Sequence, residues 1–193
     1  MVLRAGILFV MVLMSSHAQA EISYSMPAIE FGAKINSVDH EQAISNKQTN
    51  AYQGGLSVVI NLSNDSNADF GIRTGLFYSE RSFKNDLSNG LEIQGKITYA
   101  ELPVNLMFKF EDYAGVYIGP AYAVQIGDEC NGLGCGTGLT DIKSSLVPIT
   151  FGAEFKIFSH LGLNLFFENV SGGIAQSLKN SRAIGLNIMI ITD

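Results

Sequence analysis

Apolar residues recur at every second position through most of this chain, and this two-residue period restricts what the chain can fold into. In YAELPVNLMFKF (residues 99–110), polar residues such as Glu101, Asn105 and Lys109 alternate with apolar ones. A two-residue period is the repeat of a β-strand that has one apolar and one polar face. The two faces meet either a protein core and water, or lipid and the inside of a barrel.

Eight such runs follow one another, and no stretch has the 3.6-residue period of a helix. The predicted runs are 27–37, 50–62, 68–81, 91–110, 112–126, 143–158, 160–172 and 181–192. The connections alternate between short (63–68, 111–113, 159–160) and long (37–50, 81–90, 127–141, 171–180). In an up-and-down meander this places all long loops at one end, as in outer-membrane barrels. We therefore predict an all-β fold, an eight-stranded antiparallel up-and-down transmembrane β-barrel.

The face opposite the apolar one is small, polar or charged, which suits the interior of a narrow barrel. Eight strands leave an interior just wide enough to be filled by side chains, without an open pore. The period directs these charged residues inward: Glu30, Lys34, Arg73, Glu101, Lys109, Glu154, Lys156 and Glu168. Because a buried unpaired charge is costly, we predict a lumen network of ion pairs. Its candidate members are Arg73, Glu101, Lys109, Glu154, Lys156 and Glu168.

In the fourth run, the apolar residues change from odd-numbered to even-numbered positions along the sequence. Its apolar residues are even-numbered from Leu102 to Phe110. Upstream they occupy odd positions, at Leu91, Ile93, Ile97 and Tyr99. We predict that both sets face lipid, and that a β-bulge near Ala100 reconciles the two halves. Pro103 cannot donate a hydrogen bond to a neighbouring strand, which suits such an irregularity.

The first 20 residues are typical of a secretory signal peptide. Arg4 precedes an apolar block, residues 5–14, and Ala18-Gln19-Ala20 forms a small-x-small cleavage site. The block is shorter than the roughly 20 residues of a membrane-spanning helix. We therefore predict a signal peptide over residues 1–20 and one barrel domain over 21–193. Removing Arg4 changes the formal charge from −6 to −7, which disfavours a nucleic-acid partner.

Two cysteines, Cys130 and Cys135, lie in one of the long connections. In an exported chain a disulfide closing a small loop is plausible. A metal site is the alternative, but two thiols without a nearby third or fourth ligand are an incomplete zinc site. We expect the disulfide, and no metal ion or cofactor.

Tyr99, Glu101, Leu102 and Pro103 form a segment that resembles the Tyr-x-Glu-(Ile/Leu)-Pro-Leu stretch of PorT-like outer-membrane β-barrel proteins. The stretches 115–120 (GVYIGP) and 151–154 (FGAE) are also similar to strands of that family. More broadly, the mature chain resembles the small OmpA/OmpX-type barrels. The resemblance implies a location in the bacterial outer membrane and no single activity. The chain departs from the pattern at its C-terminus, which ends IITD without an aromatic residue.

Candidate catalytic groups are few. His40 lies beside Ser37, Asp39 and Glu41, the residue types that a lipid-modifying enzyme of the outer membrane would need, but a triad must be shown by geometry. The glycine-rich stretch GLGCGTG (132–138) lacks the Lys-Ser/Thr pair of a phosphate-binding loop. We therefore expect no enzymatic activity.

Three functions fit this pattern. The first is an integral barrel in outer-membrane lipid with a structural role, or one in adhesion or partner binding through its long loops. The second is a lipid-modifying enzyme that uses His40. The third is a soluble secreted barrel that binds a small apolar ligand, with its apolar face inside.

Overall fold

The computed structural model describes residues 23–62, 69–110, 113–131, 135 and 139–192, so the predicted signal peptide lies outside the described residues. None of the helical structure in these ranges is long and apolar enough to cross a membrane. The strands are β1 (Ser23–His40), β2 (Ala43–Lys47), β3 (Thr49–Asn61), β4 (Asp69–Leu87), β5 (Glu92–Phe110), β6 (Ala114–Asn131), β7 (Ser145–Leu146), β8 (Ile149–Phe158), β9 (Leu161–Gly173) and β10 (Leu178–Ile191).

Two strands of the ring are interrupted, one within the predicted run 143–158 and the other inside the predicted loop 37–50, just before the run 50–62. Gln48 separates β2 from β3, and Val147 and Pro148 separate β7 from β8. Proline has no N–H to donate, but the Pro148 carbonyl still accepts a hydrogen bond from Ala121 N at 2.9 Å. Counted as continuous, the two pairs give eight strands, which confirms the predicted number.

The strands form one closed ring. Antiparallel pairing runs in the order β1, β3, β4, β5, β6, β8, β9, β10, and β10 pairs again with β1. The joining pair β1–β10 extends from Ala28↔Ile191 to His40↔Leu178. Each strand therefore lies beside its neighbours along the chain, which confirms the predicted antiparallel up-and-down barrel.

The predicted apolar face lies on the outside of the ring. On β4, Phe70 is 55% exposed and Leu76 60%, whereas Arg73 and Ser79 are buried inside. Every strand of the ring contributes a large exposed apolar residue: Ile29, Leu56, Leu76, Leu106, Ile118, Phe151, Leu165 and Ile188. A closed wall that satisfies its own backbone groups and is apolar outside is what the hydrocarbon region of a membrane requires.

The polarity of both faces reverses at one level of the barrel. On the Phe110 side of Ala100, which we call below, β5 directs Leu102 and Leu106 outward and Glu101 and Asn105 inward. Above Ala100 the inward residues are Ile93, Ile97 and Tyr99, and the outward ones include Glu92, Gln94 and Lys96. β1 reverses between Ile35 and Ser37, β4 between Tyr78 and Glu80, and β10 between Ile184 and Arg182.

This level marks one surface of the membrane. Ala100–Phe110 spans 11 residues, close to the roughly 9–11 that a tilted strand needs to cross a bilayer. The described residues of 37–50, 80–99, 127–146 and 169–182 therefore stand beyond the lipid. We call this part the projecting end. It resembles a soluble barrel, with polar residues outside and apolar residues inside.

A register shift lies near Ala100, as predicted, but it does not change which residues of β5 face inward. β4 and β5 keep one register from Asp69↔Lys109 to Asp86↔Glu92, and the odd-numbered residues of β5 point inward along its whole length. The shift on β5 lies in the pairing with β6, where Thr98 pairs with Gly127 and Tyr99 with Gln125. Ile126 of β6 is thus the extra residue. The apolar residues of β5 change from odd to even positions at Ala100 because the outer face of the wall passes from water to lipid there. The strand itself keeps its odd-numbered residues on the inside throughout.

Three of the four predicted long loops are wrong. β1 meets β2 at Glu41–Gln42, β4 meets β5 at 88–91, and β9 meets β10 at 174–177. Most residues of those predicted loops instead continue the strands upward. The connection between β6 and β7 remains long, and only part of it is described. The projecting end is consequently an ordered wall rather than a set of loops.

Candidate functional site

The interior of the membrane-spanning part contains a tier of charges centred on Arg73. Its guanidinium pairs with Glu30 on β1 and with Glu154 on β8, and all three side chains are almost fully buried. Asn164 and Asn187 donate hydrogen bonds to the second oxygen of Glu30, at 2.8 and 3.1 Å. The two carboxylates therefore share one cation and a set of amide donors, as buried charges require.

Aromatic rings fill the remaining space of this tier. The Arg73 guanidinium lies 4.6 Å from the ring centroid of Tyr117, and Tyr117 donates a hydrogen bond to Asn164 Oδ1 at 2.9 Å. Glycine provides the room for these rings. A Cβ at Gly152 would lie 2.4 Å from the Tyr117 ring, and one at Gly185 would lie 2.2 Å from Phe166.

A second tier, nearer the membrane surface, is centred on Arg81. Arg81 Nη1 lies 2.5 Å from Glu101 Oε1, and Nη2 lies 2.9 Å from Glu168 Oε1. Lys34 Nζ lies 3.6 Å from the same Glu168 oxygen and donates a hydrogen bond to Ser79 Oγ at 2.7 Å. This tier therefore joins strands β1, β4, β5 and β9 across the barrel.

The predicted network residues are thus distributed over two tiers. Arg73 and Glu154 belong to the first, and Glu101 and Glu168 to the second. Lys109 is buried near the opposite end and donates to Asn61 Oδ1 at 3.1 Å. Lys156 is half-buried there, and within the part of the chain that the structure describes it joins no ion pair of the network.

Arg81 is not among the predicted inward residues, because the predicted third run ends at that residue. Its position carried a usable signal: it continues the inward series of β4 two residues after Ser79. Lys34 and Glu30 were assigned inward from the same period. Four inward acids, at 30, 101, 154 and 168, therefore accompany four inward bases, at 34, 73, 81 and 109.

The interior of the projecting end is closed by an apolar core. Its buried members include Val38, Phe83, Leu87, Ile93, Ile97, Tyr99, Val170, Ile174 and Leu178. Cys130 and Cys135 are joined by a disulfide, with Cα atoms 5.8 Å apart, and pack against this core together with Leu139 and Ile142. The disulfide thus belongs to the packing of this core.

No wide passage crosses the described part of the barrel. Between the two charged tiers there is a cavity of only about 20 Å³, lined by Arg73, Glu101, Asn105 and Tyr117 among others. A cavity of that size is enough for one water molecule. Apolar packing then fills the barrel above the Arg81 tier. The interior is therefore filled along the region that would have to conduct a solute.

The outer surface of the projecting end is covered by short-range ion pairs. Lys47 lies 2.8 Å from Asp86, and Lys84 lies 3.0 Å from Glu92. Lys179 pairs with Glu41. Exposed pairs of this kind contribute little stability. Their charged groups keep the outer wall hydrated, and the opposite charges cancel within each pair.

His40 and its polar neighbours, the alternative considered for a lipid-modifying enzyme, do not form a triad. His40 points into the barrel and is 6% exposed, whereas Ser37, Asp39 and Glu41 occupy the alternate, outward positions. His40 Nδ1 accepts a hydrogen bond from Gln42 N at 3.1 Å, and burial lowers the pKa of His40 below its ordinary value. Among the described residues, no group of three or more His, Cys, Asp or Glu side chains could hold a metal ion.

A closed eight-stranded wall with an apolar girdle and a packed polar interior is the architecture of small outer-membrane β-barrels. No family model matches the chain, and no curated protein matches it in sequence.

Several solved structures are similar to the chain. Neisserial surface protein A is 9% identical, with 88% of this chain and 99% of that chain covered and a TM-score of 0.49. Ail, the attachment invasion locus protein of Yersinia pestis, is 14% identical, with 86% and 99% covered and a TM-score of 0.45. The outer membrane protein OprG from Pseudomonas aeruginosa is 10% identical, with 86% and 94% covered and a TM-score of 0.35. At these identities the likeness concerns the fold alone.

Proposed function

We propose that this protein is a sealed, non-enzymatic barrel that contacts a partner outside the cell through its projecting end. The observation that carries this proposal is the reversal of polarity at Ala100. It leaves the upper part of β5, residues 92–99, and the matching parts of its neighbours outside the lipid. An ordered wall beyond the membrane is not needed for anchoring, so it is available for contact.

The longest connection supports this orientation. Outer-membrane barrels have short periplasmic turns and longer extracellular loops, and the connection between Asn131 and Ser145 belongs to the projecting end, whereas the two-residue turn 159–160 lies opposite. Ile191 N donates a hydrogen bond to His160 O at that end, and Thr192 N donates to Pro27 O. Both ends of the described chain therefore lie on the proposed periplasmic side, and the projecting end faces outward.

The filled interior argues against transport. The Arg73 and Arg81 tiers occupy the membrane-spanning part, and the apolar core occupies the projecting end. The same core argues against a soluble barrel with an apolar ligand, because its space is already occupied by side chains. The inward position of His40 argues against a lipid-modifying triad.

Cysteine labelling on intact cells tests the orientation. Ser88→Cys lies in the exposed turn of the projecting end, and Tyr113→Cys lies at the opposite end, where Tyr113 is 57% exposed. A membrane-impermeant maleimide should label the first variant on intact cells and the second only after lysis. Labelling of Tyr113→Cys alone would place the projecting end in the periplasm and overturn the proposal.

Two further measurements test the sealed interior and the contact role. In planar lipid bilayers the wild-type protein should give no discrete conductance steps, and regular steps would show a pore. Cells that carry the protein should be retained on mucin-coated glass more strongly than cells that carry an empty vector. Equal retention, with surface labelling of Ser88→Cys established, would count against a role in adhesion.

A further inference from the structure

The wall of the projecting end opens between β3 and β4. Their backbone pairing ends at Gln53↔Ser79 and resumes at Lys47↔Lys84 in β2. Between these two points, hydrogen bonds that involve side chains connect β3 and β4. Thr49 Oγ1 donates to Ser82 O at 2.8 Å, and Tyr52 N donates to Glu80 Oε2 at 3.2 Å. The irregularity leaves an outer groove of about 440 Å³, within the range of about 300–1,000 Å³ for ligand pockets.

The lining of this groove is mostly polar, with Phe83 as its one large apolar residue, and includes Asn50, Ser82, Gln94, Lys96, Glu129 and Asn131. We call it the wall groove. The side-chain amides of Asn50, Gln94 and Asn131 are exposed and make no hydrogen bond with other described residues. Each amide offers two donors and an acceptor. The groove thus presents several uncommitted hydrogen-bonding groups on neighbouring strands.

The single ammonium group at the wall groove is already paired with two carboxylates. Lys96 Nζ lies 3.3 Å from Glu80 Oε1 and 3.5 Å from Glu129 Oε2. An anionic ligand would meet two carboxylates beside the single ammonium, and a cation would have to displace Lys96. An apolar ligand would leave the amides without water or partners, which is costly. The lining therefore favours a neutral ligand rich in hydroxyl groups, which donate and accept in pairs as the amides do.

We infer that the wall groove binds a neutral saccharide. This inference rests on the proposed outward orientation and names the class of partner that the projecting end contacts. Tyr52, two residues below Asn50 on the outer face of β3, lies on the lipid side of the boundary and takes no part in the site.

The test uses purified protein in detergent micelles, labelled with a fluorophore and applied to a printed array of neutral oligosaccharides and of sulfated and sialylated ones. Gln94→Leu and Asn131→Leu each remove one uncommitted amide from the wall groove. Gln42→Leu removes an exposed amide from the β1–β2 turn, outside the groove, and is the matched control. Heat-dependent gel mobility verifies that every variant is folded.

We expect wild-type protein and Gln42→Leu to bind a subset of the neutral spots, and both groove variants to lose at least 10-fold in bound signal. Absence of binding to every neutral spot, binding to anionic spots alone, or equal binding by the groove variants would overturn the inference. Labelling of Ser88→Cys on intact cells separates the two proposals. If that residue is labelled and the array stays empty, the saccharide site fails while the outward orientation stands.

Discussion

Arg81 Nη2 lies 2.9 Å from Glu168 Oε1, and the two side chains are 1% and 3% exposed. Glu101 contacts the other terminal nitrogen of the same guanidinium. Arg81 is thus the cation between two buried carboxylates, with Lys34 as a more distant third partner at 3.6 Å from Glu168. The stability of the barrel should depend on it.

Arg81→Met should lower the free energy of unfolding by about 3–5 kcal/mol, because removing one partner leaves buried charge uncompensated. Urea titration of protein refolded in micelles measures this change. The control is Arg182→Met, since Arg182 is 59% exposed and 3.9 Å from Asp39. There we expect a change below about 1 kcal/mol. Equal losses in the two variants would show that the Arg81 tier does not stabilise the interior.

Gly152→Ala should reduce the folded fraction. The new Cβ would lie 2.4 Å from the Tyr117 ring, and overpacking of this kind costs about 1–3 kcal/mol. The share of protein with folded, heat-dependent gel mobility measures the effect. Gly127→Ala is the matched control, because nothing lies within 4 Å of a Cβ there. If Gly152→Ala folds as well as the control, Tyr117 does not occupy the described position.

Leu106→Arg and Gln94→Arg test the membrane boundary on a single strand. Both residues point outward on β5, but Leu106 lies in the apolar girdle and Gln94 in the projecting end. Arginine near the bilayer midplane costs about 2–4 kcal/mol, whereas an exposed polar site should change by less than about 0.5 kcal/mol. Urea titration in lipid vesicles distinguishes them. A comparable loss at Gln94 would move the boundary upward and contradict a projecting end.

His40 should make stability depend on pH. Burial lowers its pKa in the folded protein, while the unfolded chain has the ordinary value of about 6.5. As the pH falls below that value, the unfolded chain gains a proton that the folded protein resists, so stability decreases. The free energy of unfolding should therefore decrease more between pH 8 and pH 5 in wild type than in His40→Leu. Identical decreases would mean that His40 is not buried as a neutral side chain.

The two-residue period was sufficient to predict the ring and the inward positions of the membrane-spanning part. Gly71, Arg73, Phe77 and Ser79 on β4 face inward as expected. Such a period states which residues share a face, but not what lies beyond that face. Ile93 and Ile97 were therefore assigned to lipid, although they pack inside the projecting end.

The two tiers could not be predicted as tiers, because ion-pair partners depend on the stagger between strands. Glu30 and Glu154 meet at Arg73 from opposite walls of the barrel, and their spacing in the sequence does not encode this contact. Arg81 was not predicted to face inward for a simpler reason. A polar stretch after Glu80 was interpreted as a loop, although polar residues also build the outer face of a strand that has left the membrane.

The unbroken register of β4 and β5 has a mechanical consequence. Their pairing passes from Asp69↔Lys109 in the membrane to Asp86↔Glu92 near the tip without a shift. A partner pulling outward on the tip would load these hydrogen bonds in shear, many at once, rather than peel them one by one. The barrel would then resist extension, and a force applied at the cell surface would be transmitted along β4 and β5 to the lipid-embedded wall.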